Sequence, residues 1–536
     1  MGMQRRSLLS RLKSGFDRWR LVFLVFIVVY VSFLLLDLGY TAIQWDETNH
    51  LNGGLLLLHG HLRHYVEHGM FYPPLDDVIL AGYFSIGGAS VFTGRLAAVT
   101  FAVLSVVLVF EFAYRTYGPK TAVISGILLA TMPGFVWLSR LAMLETMLIF
   151  FFSASMMLFF TWMRNHENKY LALSGIALGL GFLTKYQIVI AVIAMVASVF
   201  LLCRGYMKTK LAKFPLLILV AVIVVLPWIV ISHQVYSMGM LDQWIYALEI
   251  GNPQKLMYSM RFPAPIFYLI EMTWPYGVVH PISLFIYVFG LLGLGLLLWR
   301  RKPEDKFLLV WFFVVYIFFT LIGNKQWRYV VPIFPVLAIS AASLMTFAYG
   351  KVGKTWKQAG PSLNRKCVGK VAAGFLVAIA AFSVVYSCVD AYHWVVKDAA
   401  FNLPSEQATN YVAERLNGNE SIVVLCALNV FSQDSVKFYL HSSRSGLSYV
   451  GQYPAVPVDT YTPNFNVDEL IGLCEKCNVK YLLLFEYGET YPYFNSTLTM
   501  QAVYQMLLDS RKFTFQNSFG GYPCRIFVLS FIYMQN

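Results

Sequence analysis

A chain of 536 residues that is 58% hydrophobic and 13% charged, with a mean hydropathy of +0.60, carries more apolar surface than a soluble globular protein of that length needs. The class is therefore a polytopic membrane protein. The net charge of +13 does not point to nucleic acid, because the basic residues fall in short clusters between apolar runs, where they act as topology signals.

The opening stretch, MGMQRRSLLSRLKSGFDRWR, is too long and too basic for a signal-peptide n-region. The run behind it is span-length and has no small-residue cleavage site, so it reads as a retained first span. Apolar runs follow near 21–40, 91–113, 121–138, 146–163, 170–184, 187–203, 214–232, 281–299, 307–322, 329–349 and 371–391, which predicts about eleven transmembrane helices. The segment 78–90 is too short to cross alone and is expected to form an interfacial helix within a first outer loop, 41–90. With a cytoplasmic N-terminus, the inner segments hold 24 Lys and Arg and the outer loops up to the last span hold seven. The positive-inside rule favours that orientation. An odd number of spans then puts residues 392–536 outside, beyond a membrane domain of residues 1–391.

In 392–536 the composition turns mixed. SIVVLC (421–426) and VKYLLLF (479–485) read as buried strands, with SQDSVKFYLHSS (432–443) as an amphipathic helix between them, which predicts a small external α/β domain. Cys474 and Cys477 form a Cys-x-x-Cys; with Cys426 and Cys524 in the same external domain, structural disulfides are expected rather than zinc or redox chemistry. Asn419 and Asn495 begin glycosylation sequons.

Charge placement carries the functional signal. Asp46 and Glu47 close the first span, Arg95 opens the second, and Arg140 and Glu145 flank the turn between the third and fourth. Lys185 lies in the turn between the fifth and sixth, and Lys325 and Arg328 precede the tenth. Nearly every charge beside an outer span end is thus able to face one outer cavity. Snorkelling accounts for Arg63, Lys255 and Arg261. For Asp46, Glu145 and Lys185 a functional role is the better account, since charges at such sites are costly. Carboxylates serve as base or metal ligand and cations hold phosphate. Together they suit transfer of a group from a lipid-linked phosphate.

The ordered motifs WDE (45–47), PPL (73–75), GRLAAVTFAVLSVVLVFEFAYRTYG (94–118), SRLAMLETMLIFF (139–151), LGLGFLTK (178–185) and RYVVPIFPVLAI (328–339) resemble the GT-C superfamily of membrane glycosyltransferases. The branch is the one that contains protein O-mannosyltransferases and the lipid A aminoarabinose transferase. The resemblance covers about residues 20–350. It implies a GT-C fold and a polyprenyl-phosphate-sugar donor, with an external active site. It also implies inverting transfer of a mannose-like sugar to a protein, glycan or lipid acceptor at the cell envelope.

By resemblance, Asp46 is the base and Glu47 its neighbour in the catalytic loop. Arg95 and Lys185 hold the donor phosphate, helped by Lys325 and Arg328, and Glu145 is the second-loop acidic residue, with Arg140 beside it. Tyr72 stands before PPL where the family often has His. TWPYG (273–277) lacks the acidic residue of the oligosaccharyltransferase WWDYG motif and precedes the eighth span, so that reading is rejected. Two carboxylates such as Asp46 and Glu145 could hold Mg²⁺ or Mn²⁺, but no spacing demands a cofactor. The alternative is a transporter or flippase of a lipid-linked sugar. Transporters concentrate polar groups near the midplane on broken helices, whereas here the charges cluster at outer turns.

Overall fold

The computed structural model describes residues 18–67, 73–203, 205, 207–236, 259–275, 280–358, 363–400, 404–425, 432–443, 449–453, 465–487, 499–521 and 524–533. Each of the eleven apolar runs is helical. The helices are Arg18–Leu35, Val91–Thr116, Pro119–Thr131 with Pro133–Ser139, Leu144–Asn165, Asn168–Phe182, Val189–Leu202, Phe214–Tyr236, Leu284–Arg300, Pro303–Leu321, Phe334–Gln358 and Leu363–Ala400. Among the described residues, six helices are long and apolar enough to cross a membrane, or seven if one bent pair counts as a single span.

That pair differs from the straight run expected at 121–138. Its halves, Pro119–Thr131 and Pro133–Ser139, meet at 68°. Pro133 opens the second half, and the residue before a proline is pushed out of the α region. Met132 accordingly sits at φ −62°, ψ 123°. The break turns the chain toward Arg140 and Glu145.

The first outer loop folds as three short helices, Trp45–Leu58, Leu62–Glu67 and Leu75–Gly87. The last corresponds to the interfacial helix expected at 78–90. Its 13 residues span about 20 Å, short of the roughly 30 Å hydrocarbon core. Trp45–Leu58 lies against Leu75–Gly87 and Val91–Thr116 through glycines. A methyl group on Gly54 would come within 2.8 Å of Leu80 Cβ, and one on Gly94 within 2.4 Å of Leu51 Cδ2.

The last long helix runs past the expected boundary at 391 to Ala400. Beyond Pro404 lies a five-stranded sheet of β1 (Ser421–Leu425), β2 (Val450–Tyr453), β3 (Val479–Tyr487), β4 (Phe513–Gly521) and β5 (Cys524–Phe531), ordered β2-β1-β3-β5-β4. β1 pairs in parallel with β2 and β3, whereas β5 runs antiparallel to β3 and β4. Alternation splits its strands between two cores. Ile422, Val424, Leu483 and Val528 face the helices that carry Val412 and Val436. Val423, Leu425, Leu482 and Leu529 face those that carry Leu470 and Val503.

The same two faces overturn the disulfide expectation. Cys474, Cys477 and Cys524 are free thiols. Cys474 is buried in one core and Cys524 in the other, so the sheet separates them. Cys426 and the Asn495 sequon fall outside the described residues.

The sheet domain rests on the first outer loop. Phe438 and Tyr439, from helix Gln433–Ser443, are buried among Leu51, Leu55, Leu80 and Phe84. The Asn52 amide donates to the Asp434 carbonyl at 2.9 Å. This contact puts the loop and the C-terminal domain on one side of the molecule, which an even number of crossings between them, such as ten, satisfies.

Candidate active site

Asp46 and Glu47 are consecutive on helix Trp45–Leu58, about 100° apart around its axis, and they enter different environments. Glu47 points inward and is fully buried. Its carboxylate accepts from Arg95 Nε at 2.7 Å, Arg95 Nη2 at 2.8 Å, the Ala142 amide at 2.8 Å and the Gln44 amide at 3.1 Å. The other Arg95 donors reach the carbonyls of Leu38, Thr41 and Ala42 and the Thr41 hydroxyl. Arg95 has no exposed surface. The pair ties segment 38–47 to the second membrane helix and to the 139–144 turn, and Arg95, expected at the donor phosphate, hydrogen-bonds to Glu47 and to residues 38–42.

Asp46 points outward, with its side chain 43% exposed, and accepts from Arg328 Nη2 at 2.7 Å. Arg328 Nη1 lies 3.7 Å from Glu145 Oε1, and Lys185 Nζ donates to the same oxygen at 3.0 Å. The order Asp46–Arg328–Glu145–Lys185 thus alternates in sign along one row drawn from four separate stretches of chain. Glu145 sits in the first turn of Leu144–Asn165, where the helix dipole favours an anion. Its other oxygen, Oε2, is buried with no hydrogen-bond partner. Lys185 follows the helix Asn168–Phe182, and the Leu75 amide donates to the Leu183 carbonyl at 2.9 Å, fastening the PPL segment to the lysine turn.

The other expected residues lie off this row. Arg140 Nη1 donates to the Leu34 carbonyl at 2.7 Å and caps the end of the first helix. The Lys325 ammonium donates to the Ile322 carbonyl, and burial holds its pKa below the usual lysine value. Tyr72 and Lys255 fall outside the described residues.

Sequence reading missed a second cluster behind the row. His50, Asp76 and Asp77 are all buried. His50 Nδ1 lies 3.5 Å from Asp76 Oδ2 and 3.4 Å from Asp77 Oδ1, and the Tyr65 hydroxyl donates to Asp77 Oδ2 at 2.8 Å. Burial works against an imidazolium at His50, but the Asp77 hydrogen bond and the charges of Asp76, Asp77 and Glu145 outweigh it and raise its pKa to about 9. Burial pushes Asp76 up to about 7; His50 opposes this, while Asp77 and Glu145 add to it. The signal was present in the sequence as QWDETNH and PPLDD, a histidine one turn after Asp46 and two carboxylates just after the proline pair. Among the described residues, these three form the group whose donor atoms converge closely enough for an ion. Asp46 and Glu145, the two carboxylates considered for Mg²⁺ or Mn²⁺, both face Arg328.

Residues 72–231 match the family described as dolichyl-phosphate-mannose-protein mannosyltransferase. Two relatives are named undecaprenyl phosphate-alpha-4-amino-4-deoxy-L-arabinose arabinosyl transferase. The Edwardsiella ictaluri protein is 26% identical over 49% of this chain and 47% of its own length. The Erwinia tasmaniensis protein is 26% identical over 69% of this chain and 66% of its own length. The chain spans about half the length of most curated relatives it matches. Among solved structures, ArnT from Cupriavidus metallidurans superposes over 95% of this chain and 97% of its own in the apo state, with a TM-score of 0.63 at 14% identity. Bound to undecaprenyl phosphate, it covers 95% of this chain and 98% of its own, with a TM-score of 0.62 at 12% identity.

Proposed function

We propose that this chain, which has the fold of the GT-C glycosyltransferases, is an integral membrane enzyme that moves a sugar from a polyprenyl-phosphate donor to an acceptor hydroxyl or similar group on the outer face. The observation that carries the reading is the alternating row Asp46–Arg328–Glu145–Lys185 at the outer helix ends. The relatives' names favour an undecaprenyl carrier and a 4-amino-4-deoxy-L-arabinose donor. The family name favours mannose.

The row is neutral before the donor arrives: two carboxylates face two cations. A phosphodiester adds one negative charge, which Lys185 and Arg328 are placed to hold, the first as a point charge and the second as a planar fork. As Arg328 turns toward the phosphate it uncovers Asp46. Asp46 then takes the proton of the acceptor hydroxyl while that oxygen attacks the sugar C1. The C1–O bond to phosphate breaks, and the polyprenyl phosphate leaves with the electron pair, its new charge held by the same two cations. A single displacement inverts the anomeric centre and needs no covalent enzyme intermediate, unlike a two-carboxylate retaining glycosidase. We also propose a cytoplasmic N-terminus and an external C-terminal domain, from the 24-to-seven charge asymmetry.

The test is to supply membranes with polyprenyl-phosphate donors radiolabelled in aminoarabinose or in mannose. Label moving to an acceptor from one donor and not the other supports the reading and identifies the sugar. Label that crosses sealed vesicles while still attached to its lipid would instead make the protein a flippase. A protease applied to intact cells should remove a C-terminal tag; protection of the tag would reverse the orientation.

A further inference from the structure

We infer that His50, Asp76 and Asp77 form a buried site for one divalent transition-metal ion of the zinc or manganese class, which fixes the outer-loop helices behind Asp46. Three observations carry this. First, the donor atoms of the three residues lie within 4.8 Å of one another. The His50 Nδ1 distances of 3.5 and 3.4 Å to the two carboxylates are long for charge-assisted hydrogen bonds, which run at about 2.7–2.9 Å. They match the edge of a coordination tetrahedron, about 3.3 Å for metal–ligand bonds of about 2.0–2.1 Å.

Second, Asp76 Oδ2 is buried with no hydrogen-bond partner, on a side chain that is 5% exposed, and it is the oxygen that faces His50. A carboxylate oxygen desolvated in this way is costly unless something positive meets it. Third, the surroundings are arranged around the carboxylates. The Tyr65 hydroxyl holds the far oxygen of Asp77 at 2.8 Å, the kind of outer partner that orients a ligating group. Gly53, one helical turn after His50, makes room for Asp77: a methyl group there would lie 2.7 Å from the Asp77 carboxylate carbon.

One imidazole and two carboxylates suit Zn²⁺ or Mn²⁺ better than Mg²⁺ or Ca²⁺, which favour all-oxygen sets. With a neutral imidazole, a divalent ion and two carboxylates sum to zero, which a buried site favours. Three protein ligands leave a further coordination position. The ion would clamp helix Trp45–Leu58 to Leu75–Gly87 one turn from Asp46. Its proposed role in positioning Asp46 rests on the glycosyltransferase reading; the site itself does not.

The test uses the full chain in detergent with any affinity tag removed and no sugar donor present, so that a failure here leaves the transferase reading standing. Elemental analysis and calorimetric titration with ZnCl₂ and then MnCl₂ should give about one ion per chain. Asp76→Asn and His50→Gln should each weaken binding by roughly tenfold or more. X-ray absorption at the zinc edge of the wild type should show one imidazole and otherwise oxygen ligands, a readout that stands even if a variant fails to fold. Absence of stoichiometric metal, equal affinity in wild type and variants, or sulfur in the absorption spectrum, which would place the ion at Cys474 and Cys477, overturns the site. In the first case the cluster is a proton-bound triad with a protonated His50.

Discussion

Two arginine–carboxylate pairs start one residue apart and have opposite characters. Glu47 and Arg95 are sealed, with both side chains 0% exposed. Asp46 and Arg328 are open, at 43% and 21%. The sealed pair is enclosed by backbone donors and acceptors from two segments, residues 38–44 and Ala142, so its charges are matched within the protein. The open pair is partly exposed, and its Arg328 is shared among Asp46, Glu145 and Gln326. Burial thus seals one pair inside the protein, whereas the other stays partly exposed at the end of a row of alternating charges.

Breaking the sealed pair should have the largest effect. Removing one partner of a buried ion pair leaves a charge without compensation, at a cost of about 3–5 kcal/mol. Glu47→Gln or Arg95→Ala should therefore lower the yield of folded protein and its thermal unfolding temperature sharply. A Glu47→Gln protein that folds and melts like wild type would erase the distinction between the pairs.

In the open row the effect should fall on the ligand. Lys185→Ala removes one charge-assisted contact, about 1.5–3 kcal/mol, so donor binding should weaken roughly tenfold to a hundredfold, while the unfolding temperature falls less than in the sealed-pair variants because Arg328 still faces the buried Glu145. Lys185→Arg should restore part of it. Unchanged donor affinity in the alanine variant would return Lys185 to a structural ion pair with Glu145.

The smallest effect sharpens the boundary between loop and sheet domain. Asn52→Ala deletes the amide that bridges Thr48 and Asp434, a neutral contact of about 1 kcal/mol. Hydrogen exchange in 433–443 should rise modestly with no change in the rest of the sheet. Equal exchange before and after would mean that Phe438 and Tyr439 hold the domain without it.

The sequence could disclose the open row because its members stand at the outer ends of separate helices, and span counting alone sorts those ends to one side. Asp46, Glu145, Lys185 and Arg328 were found in that way. It could not separate Asp46 from Glu47, because adjacency in sequence says nothing about which side of a helix faces the core. The burial of Arg95 escaped for the same reason: it lies in the second turn of its helix, at an outer end by sequence yet buried against segment 38–47. His50 and Asp77 escaped because their meeting depends on how two short helices cross at Gly53, a contact with no local pattern. The α/β domain was legible in its strands and in helix 433–443. The cysteines were not, since which core each thiol enters depends on strand and helix placement that spacing does not encode.

The central claim, that Asp46 is the base and Glu47 belongs to the scaffold, is tested most directly by single-turnover sugar transfer at saturating donor in Asp46→Asn. Unfolding is measured on the same sample. Asparagine keeps the shape and hydrogen bonding but takes no proton. Transfer should slow by roughly two to four orders of magnitude, the usual worth of general-base catalysis, with donor affinity and unfolding temperature close to wild type. Transfer at the wild-type rate by the folded Asp46→Asn protein would contradict the account and move the base to another carboxylate, Glu145 first.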